Sequence, residues 1–188
     1  DSEWWESGEG LARIRGQART SWIVAPADGK LPFTAAATAQ NAARTAQRKL
    51  PLDNPEVRGR GDRCLPGAAA GPPMLNGVYN NNYLFLQTRD ALVVLAEYFS
   101  DVRIIRLAPG ARHPPANVRR WLGDSIGHWE GETLVIESTN FCVSGLSRFG
   151  RLKISPAATI VERFTRVSAD ELLYVFEVTD PTLYTQTW

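Results

Sequence analysis

The sequence predicts a mainly β fold, an antiparallel meander closing into a lipocalin-like barrel, with a two-sheet β-sandwich as the alternative. Three observations predict it. From about residue 77 the chain breaks into short runs of β-branched and aromatic residues separated by turn chemistry. The connections Arg89-Asp90, Phe99–Asp101, Glu130-Gly131 and Ser168–Asp170 are only two or three residues long, whereas a parallel crossover takes a dozen or more. About eight such runs in some 110 residues suffice to close a small barrel around one ligand.

Residues 1–76 read as an irregular N-terminal segment and residues 77–188 as the β-domain. Trp4 and Trp5 stand beside acidic residues, and the short apolar piece from Ser21 ends on Pro26 and an Asp28-Gly29 turn. Thr34 is a plausible N-cap for a helix over 34–49, with Pro51 as the stop. Its apolar content is mostly Ala, which buries little area, so the helix is expected on a surface. Pro51, Pro55, Pro66, Pro72 and Pro73 then mark a Pro-rich strap over 51–73, a long loop or a band pressed against another face. Strands are expected near Tyr83–Thr88, Ala91–Tyr98, Val102–Leu107, Val118–Leu122, Glu132–Ser138, Thr159–Val167, Glu171–Thr179 and Leu183–Trp188.

Composition bounds the rest. At 188 residues, 44% hydrophobic and 22% charged, the chain is a single globular domain with appendages. A net charge of +1, from 21 basic and 20 acidic residues, supplies no global field for nucleic acid or an anionic membrane. No run of about eighteen apolar residues is present, so no transmembrane segment is expected. The chain starts on Asp1 rather than Met, as a mature or processed form would. Cys64 and Cys142 either form one disulfide in an oxidising compartment or stay two separate buried thiols.

Several strands carry charge where a half-buried pattern does not need it: Glu97, Arg103, Arg106, Arg119, Arg120, Glu137, Glu162, Arg163 and Glu177. These are cross-strand ion pairs on the solvent face or paired charges turned into a cavity. Asn80, Asn81 and Asn82 precede the first strong strand. They form an Asx-rich turn or a bank of donors and acceptors for a ligand. His113, held between Arg112 and Pro114-Pro115, is structural or a general acid/base; His128 looks more exposed. Asp101, Arg103 and His113 make an acid, an anion stabiliser and a base if their ends of the barrel coincide. Nucleotide-binding loops, a Gly-x-Ser-x-Gly elbow and a His-Glu-x-x-His motif are missing from the sequence. No cofactor and no metal are expected.

Arg63-Cys-Leu-Pro-Gly67, Gly71-Pro-Pro-Met-Leu75, Tyr79-Asn-Asn-Asn82, His113-Pro-Pro115, Arg120-Trp-Leu-Gly-Asp-Ser125, Gly127-His-Trp-Glu-Gly-Glu-Thr-Leu-Val135, Thr139-Asn-Phe141, Glu162-Arg-Phe164 and Thr179-Asp-Pro181 form a specific combination. Over about residues 19–188 it resembles a large family of exported bacterial proteins, mostly uncharacterised. The resemblance implies a β-rich domain and a periplasmic or extracellular location, and brings no established activity. Family members run on beyond the position of Trp188, and their loop between Phe141 and Thr159 differs from the Cys142 and Arg148–Lys153 stretch here.

The expected function is that of a small-molecule-binding β-barrel. Aromatic residues including Tyr83, Phe85, Trp121, Phe164, Tyr174 and Phe176 would wall a cavity for an apolar or aromatic ligand, and Asn80, Asn82, Arg103 and Glu137 would orient it. His113, Asp101 and Arg103 are the candidates for cofactor-free lyase, isomerase or hydratase chemistry. The alternative is an accessory subunit of an exported or membrane-associated assembly, docked through the strap and the exposed tryptophans at positions 4, 5 and 188.

Overall fold

The computed structural model describes residues 10–14, 16–47, 58, 65, 69–77, 79–142, 146–148 and 152–188. The expected contributions of Trp4, Trp5, Cys64 and most of the Pro51–Pro73 strap lie outside them.

A two-stranded hairpin, β1 (Ala12–Ile14) with β2 (Gln17–Arg19), precedes the helix α1 (Ala35–Gln47). Thr34 caps α1 as its sequence position predicts: the Thr34 Oγ1 accepts the Ala37 N–H at 3.1 Å, meeting one of the donors a helix start leaves unpaired. Most of the helix is exposed and Ala37 is its buried contact. One turn further along the same face Lys153 reaches Asn41.

Seven strands form the main sheet: β3 (Tyr83–Gln87), β4 (Ala91–Ala96), β5 (Val102–Arg106), β6 (Asp124–Glu130), β7 (Thr133–Thr139), β10 (Thr159–Arg166) and β11 (Leu172–Thr179), in the order β11-β10-β7-β6-β5-β4-β3. Between β7 and β10 the chain forms a separate hairpin, β8 (Leu146–Arg148) with β9 (Leu152–Ile154). The sheet curls into a half-barrel. It does not close into the expected barrel, because β3 and β11 are its two ends and neither pairs with the other.

The meander also needs correction at its centre. Neighbours are antiparallel except β5 and β6, which run parallel and share only the pairs Ile105↔Ser125 and Arg106↔Ile126. Residues 107–123 supply the long connection that such a pair requires. This is the region in which Val118–Leu122 was expected as a strand; its one ladder contact is an isolated bridge from Arg120 to Phe141. Leu183–Trp188 is likewise not a strand. Tyr184 bridges to Phe33, and Trp188 exchanges backbone hydrogen bonds with Val178.

Gly123 sits at the entry to β6 with φ +72°, and a Cβ there would stand 2.6 Å from both the Phe141 ring and the Thr139 carbonyl oxygen. Only glycine takes that conformation against those neighbours without strain.

Strict alternation sorts the strands into two faces. The inner face carries Leu92, Val94, Ile105, Leu134, Ile136 and Phe164 as one buried cluster, closed by Ala69 and Ala70. Ile160 and Val178 continue it into a second cluster with Phe141, Ile154, Leu183, Tyr184 and Ala37. Residues from the N-terminal segment thus share the core of the β-domain. Three hairpin turns, β3–β4, β6–β7 and β10–β11, fall at one end of the half-barrel because their first strands run the same way.

Candidate functional site

The charges turned inward and outward form separate arrangements. On the inner face the Arg103 guanidinium donates to both carboxylate oxygens of Glu162, to the Oγ of Ser125 and Ser138, and to the Ala70 carbonyl. Arg103 and Glu162 are both buried, their side chains 2% and 0% exposed. Tyr174 donates its hydroxyl proton to Glu162 Oε1 at 2.6 Å and accepts the Met74 N–H at 2.8 Å. Burial, reinforced by the Glu162 charge and hydrogen bond, holds the Tyr174 phenol well above its usual range, with Arg103 and the Met74 N–H acting the other way.

The backbone at 69–74 lies across this cluster. The Ala69 N–H donates to Asp101 Oδ2 at 2.8 Å, the Ala70 carbonyl accepts from Arg103 and the Met74 N–H binds Tyr174. Gly71 has φ +87°, and a Cβ there would stand 2.8 Å from Arg103 Nη1. Asp101 and Arg103, two residues apart on one face of the chain, therefore hold the backbone at 69 and 70 against the inner sheet.

The outer face carries the second arrangement. His113 places Nδ1 2.8 Å from Asp124 Oδ2 and Nε2 3.2 Å from Glu137 Oε1. Arg106 donates to the same Asp124 oxygen at 2.5 Å, and Arg120 comes within 3.4 Å of Asp124 Oδ1. An imidazolium donates to both carboxylates at once, whereas the neutral ring has one N–H to give. The carboxylates approach opposite ring nitrogens and do not converge; among the described residues no group of three or more His, Cys, Asp or Glu could hold a metal ion.

The expected residues are thus divided between two places. Arg103 and Asp101 join Glu162, Tyr174 and the backbone at 69–74, while His113 joins Asp124 and Glu137 on the other side of the sheet. Of the expected ligand contacts, Tyr83 packs against the inner cluster, Asn82 donates to Glu97 Oε2 at 2.9 Å, and Asn80 is exposed in a turn with φ 56°. Trp121 is 39% exposed in the 107–123 connection. Cys142 is a free thiol whose pKa burial pushes up.

An apolar cleft of about 230 Å³ opens on the inner face at the end where the three hairpin turns gather. Phe85, Leu92, Leu107, Leu134 and Phe164 line its body; Gln87, Trp129, Glu132, Arg166 and Leu172 complete it. Phe85 and Phe164 were expected wall residues. Trp129 was not, because Gly123–Glu130 has one β-branched residue, Ile126, and reads poorly as a strand. The available signal was the alternation Ser125, Gly127, Trp129: two small residues and one large one on a single face. Gly127 fits because its inner side is filled by Leu107 and Ile105, whose side-chain atoms lie 2.9 and 3.2 Å from where a Cβ would be.

Compared with protein-family models, with curated proteins and with solved structures, the chain matches none.

Proposed function

We propose that this chain binds a small apolar or aromatic molecule in the cleft at the hairpin end of the half-barrel. The observation that carries the proposal is the cleft itself: about 230 Å³ of concave space walled by two phenylalanines, leucines and a tryptophan, the composition typical of small-molecule sites. Binding rather than turnover is the reading favoured, because His113 bonds carboxylates on the opposite face of the sheet and is not among the cleft's lining residues. A location outside the cytoplasm belongs to the same proposal and rests on the motif resemblance alone.

The test is titration with a neutral aromatic probe, 2-naphthalenemethanol, followed by calorimetry and by thermal unfolding. Selective binding to the folded state raises the unfolding temperature as probe concentration rises. Leu172→Asp, a change at a residue 57% exposed on the mouth, abolishes the shift while leaving the unliganded stability within about 0.5 kcal/mol. Absence of heat and of a shift in the unchanged protein with this probe and with charged probes of the same naphthyl body overturns the proposal.

One observation favours the second reading, an accessory subunit of a larger assembly. Leu84, Leu86, Val102 and Ile104 stand 49%, 50%, 52% and 61% exposed, and the β3–β4–β5 pairing sets them on the outer face on either side of the half-buried Val93 and Leu95. Contiguous apolar surface of this kind marks contact faces. A purified chain that sediments as a monomer at high concentration speaks against this reading.

A further inference from the structure

We infer that the ligand of the cleft is an organic cation with an aromatic or alkyl body. The inference rests on the cleft being a binding site and concerns the charge of what enters it.

The apolar walls set the body of the ligand but not its charge; the two ionic side chains that line the cleft and the turns around its mouth do. Arg166 is already engaged, its Nε donating to the Ser168 carbonyl at 2.9 Å and its Nη2 to the Ala169 carbonyl at 3.0 Å. It closes its own turn. Glu132 lines the same cleft, is exposed, and makes no hydrogen bond or ion pair within the described residues. Beside it the Trp129 ring is 52% exposed, offering the electron-rich face on which cations settle.

The surroundings reinforce Glu132. The turns at Thr88–Asp90, Glu130–Glu132 and Val167–Glu171 carry Asp90, Glu130, Glu132, Asp170 and Glu171, all exposed; against these five stand two cations, Arg89, which pairs with Asp90, and Arg166, whose neutral carbonyl partners leave its charge in place, while His128 lies against Glu130. Arg106, at the end of the adjacent strand, is bound to Asp124 on the opposite face. A chain with a net charge of +1 therefore presents a negative mouth, and a cleft with low-dielectric walls focuses that field on whatever enters. A carboxylate or phosphate amphiphile would meet an excess of like charge there, with Arg166 the one opposing cation on the wall; an ammonium or amidinium would meet Glu132 and the Trp129 ring together.

The experiment compares three probes with one naphthyl body: (2-naphthylmethyl)trimethylammonium, neutral 2-naphthalenemethanol and 2-naphthylacetate. Calorimetric titration at low and at high salt gives their relative affinities. The expected order is cation, neutral, anion, with the cation favoured over the neutral probe by about fivefold at low salt and by less at high salt. Glu132→Gln, a change in an exposed turn, brings the two affinities together, and Trp129→Leu lowers the cation's affinity more than the neutral probe's. Equal binding of cation and neutral probe, or tightest binding of the anion, overturns this inference while leaving the cleft a binding site. Failure of all three to bind overturns both.

Discussion

Arg103 and Glu162, residues from two strands that are not neighbours in the sheet, meet in a two-point ion pair on its inner face, shielded from water and surrounded by Ser125, Ser138 and Tyr174. Such a pair stabilises modestly as a unit, because desolvation offsets most of its attraction, and it is expensive to break from one side. Glu162→Gln, which leaves the guanidinium buried without its counter-charge, is expected to lower the unfolding free energy by about 3–5 kcal/mol. The double change Arg103→Met with Glu162→Leu is expected to cost less than Glu162→Gln alone. Urea denaturation of the two variants and the unchanged protein decides it.

Tyr174 gives the fold an alkaline limit. Its phenol titrates higher in the folded chain than in the unfolded one, so the folded state holds this proton more tightly. The stability it confers is fully present below about pH 10, the unfolded value, and is lost as pH rises from there through the folded value. Denaturation across pH 9–12 is expected to show a fall that Tyr174→Phe makes shallower by up to about 1.4 kcal/mol per pH unit. An unchanged slope in the variant contradicts this account.

Gly123→Ala introduces a methyl group 2.6 Å from the Phe141 ring and the Thr139 carbonyl at a residue with φ +72°. Backbone strain and overpacking together are expected to cost about 2–4 kcal/mol, seen as a lower denaturation midpoint. Gly110→Ala is the control. Its φ of +77° is similar but nothing lies within 4 Å of its added methyl, so only the backbone cost of about 1–2 kcal/mol is expected.

Thr34→Ala removes the hydroxyl that caps α1, and a loss of about 1 kcal/mol is expected. Thr34→Ser retains the acceptor and is expected to restore most of it. The comparison by thermal unfolding separates the cap from packing of the threonine methyl.

What the sequence disclosed follows its physics. Strands with dense β-branched and aromatic content, such as Ala91–Ala96, Thr159–Arg166 and Leu172–Thr179, were legible to within two residues at each end, and so was α1, marked by Thr34 and Pro51. The strand Asp124–Glu130 was not, since its small residues serve packing against Leu107 and Ile105 and weaken the local β signal. Losing that strand hid the parallel junction, and with it the side of the sheet on which His113 lies. Glu162 stood among the strand charges that the sequence left between the solvent face and a cavity. That Arg103 would be its partner is a non-local fact of strand order, which spacing does not carry.

The parallel junction has a mechanical consequence. Only two residue pairs join β5 to β6, so the sheet is two antiparallel blocks meeting at a thin seam. Arg103 and Arg106, both on β5, rivet that seam from opposite sides, one to Glu162 and one to Asp124. The inner rivet is sheltered from dissolved ions and the outer, on a guanidinium 41% exposed, is not. Concentrated salt should therefore loosen this fault line from the outside, with the amides nearest the outer rivet the first along it to exchange with solvent.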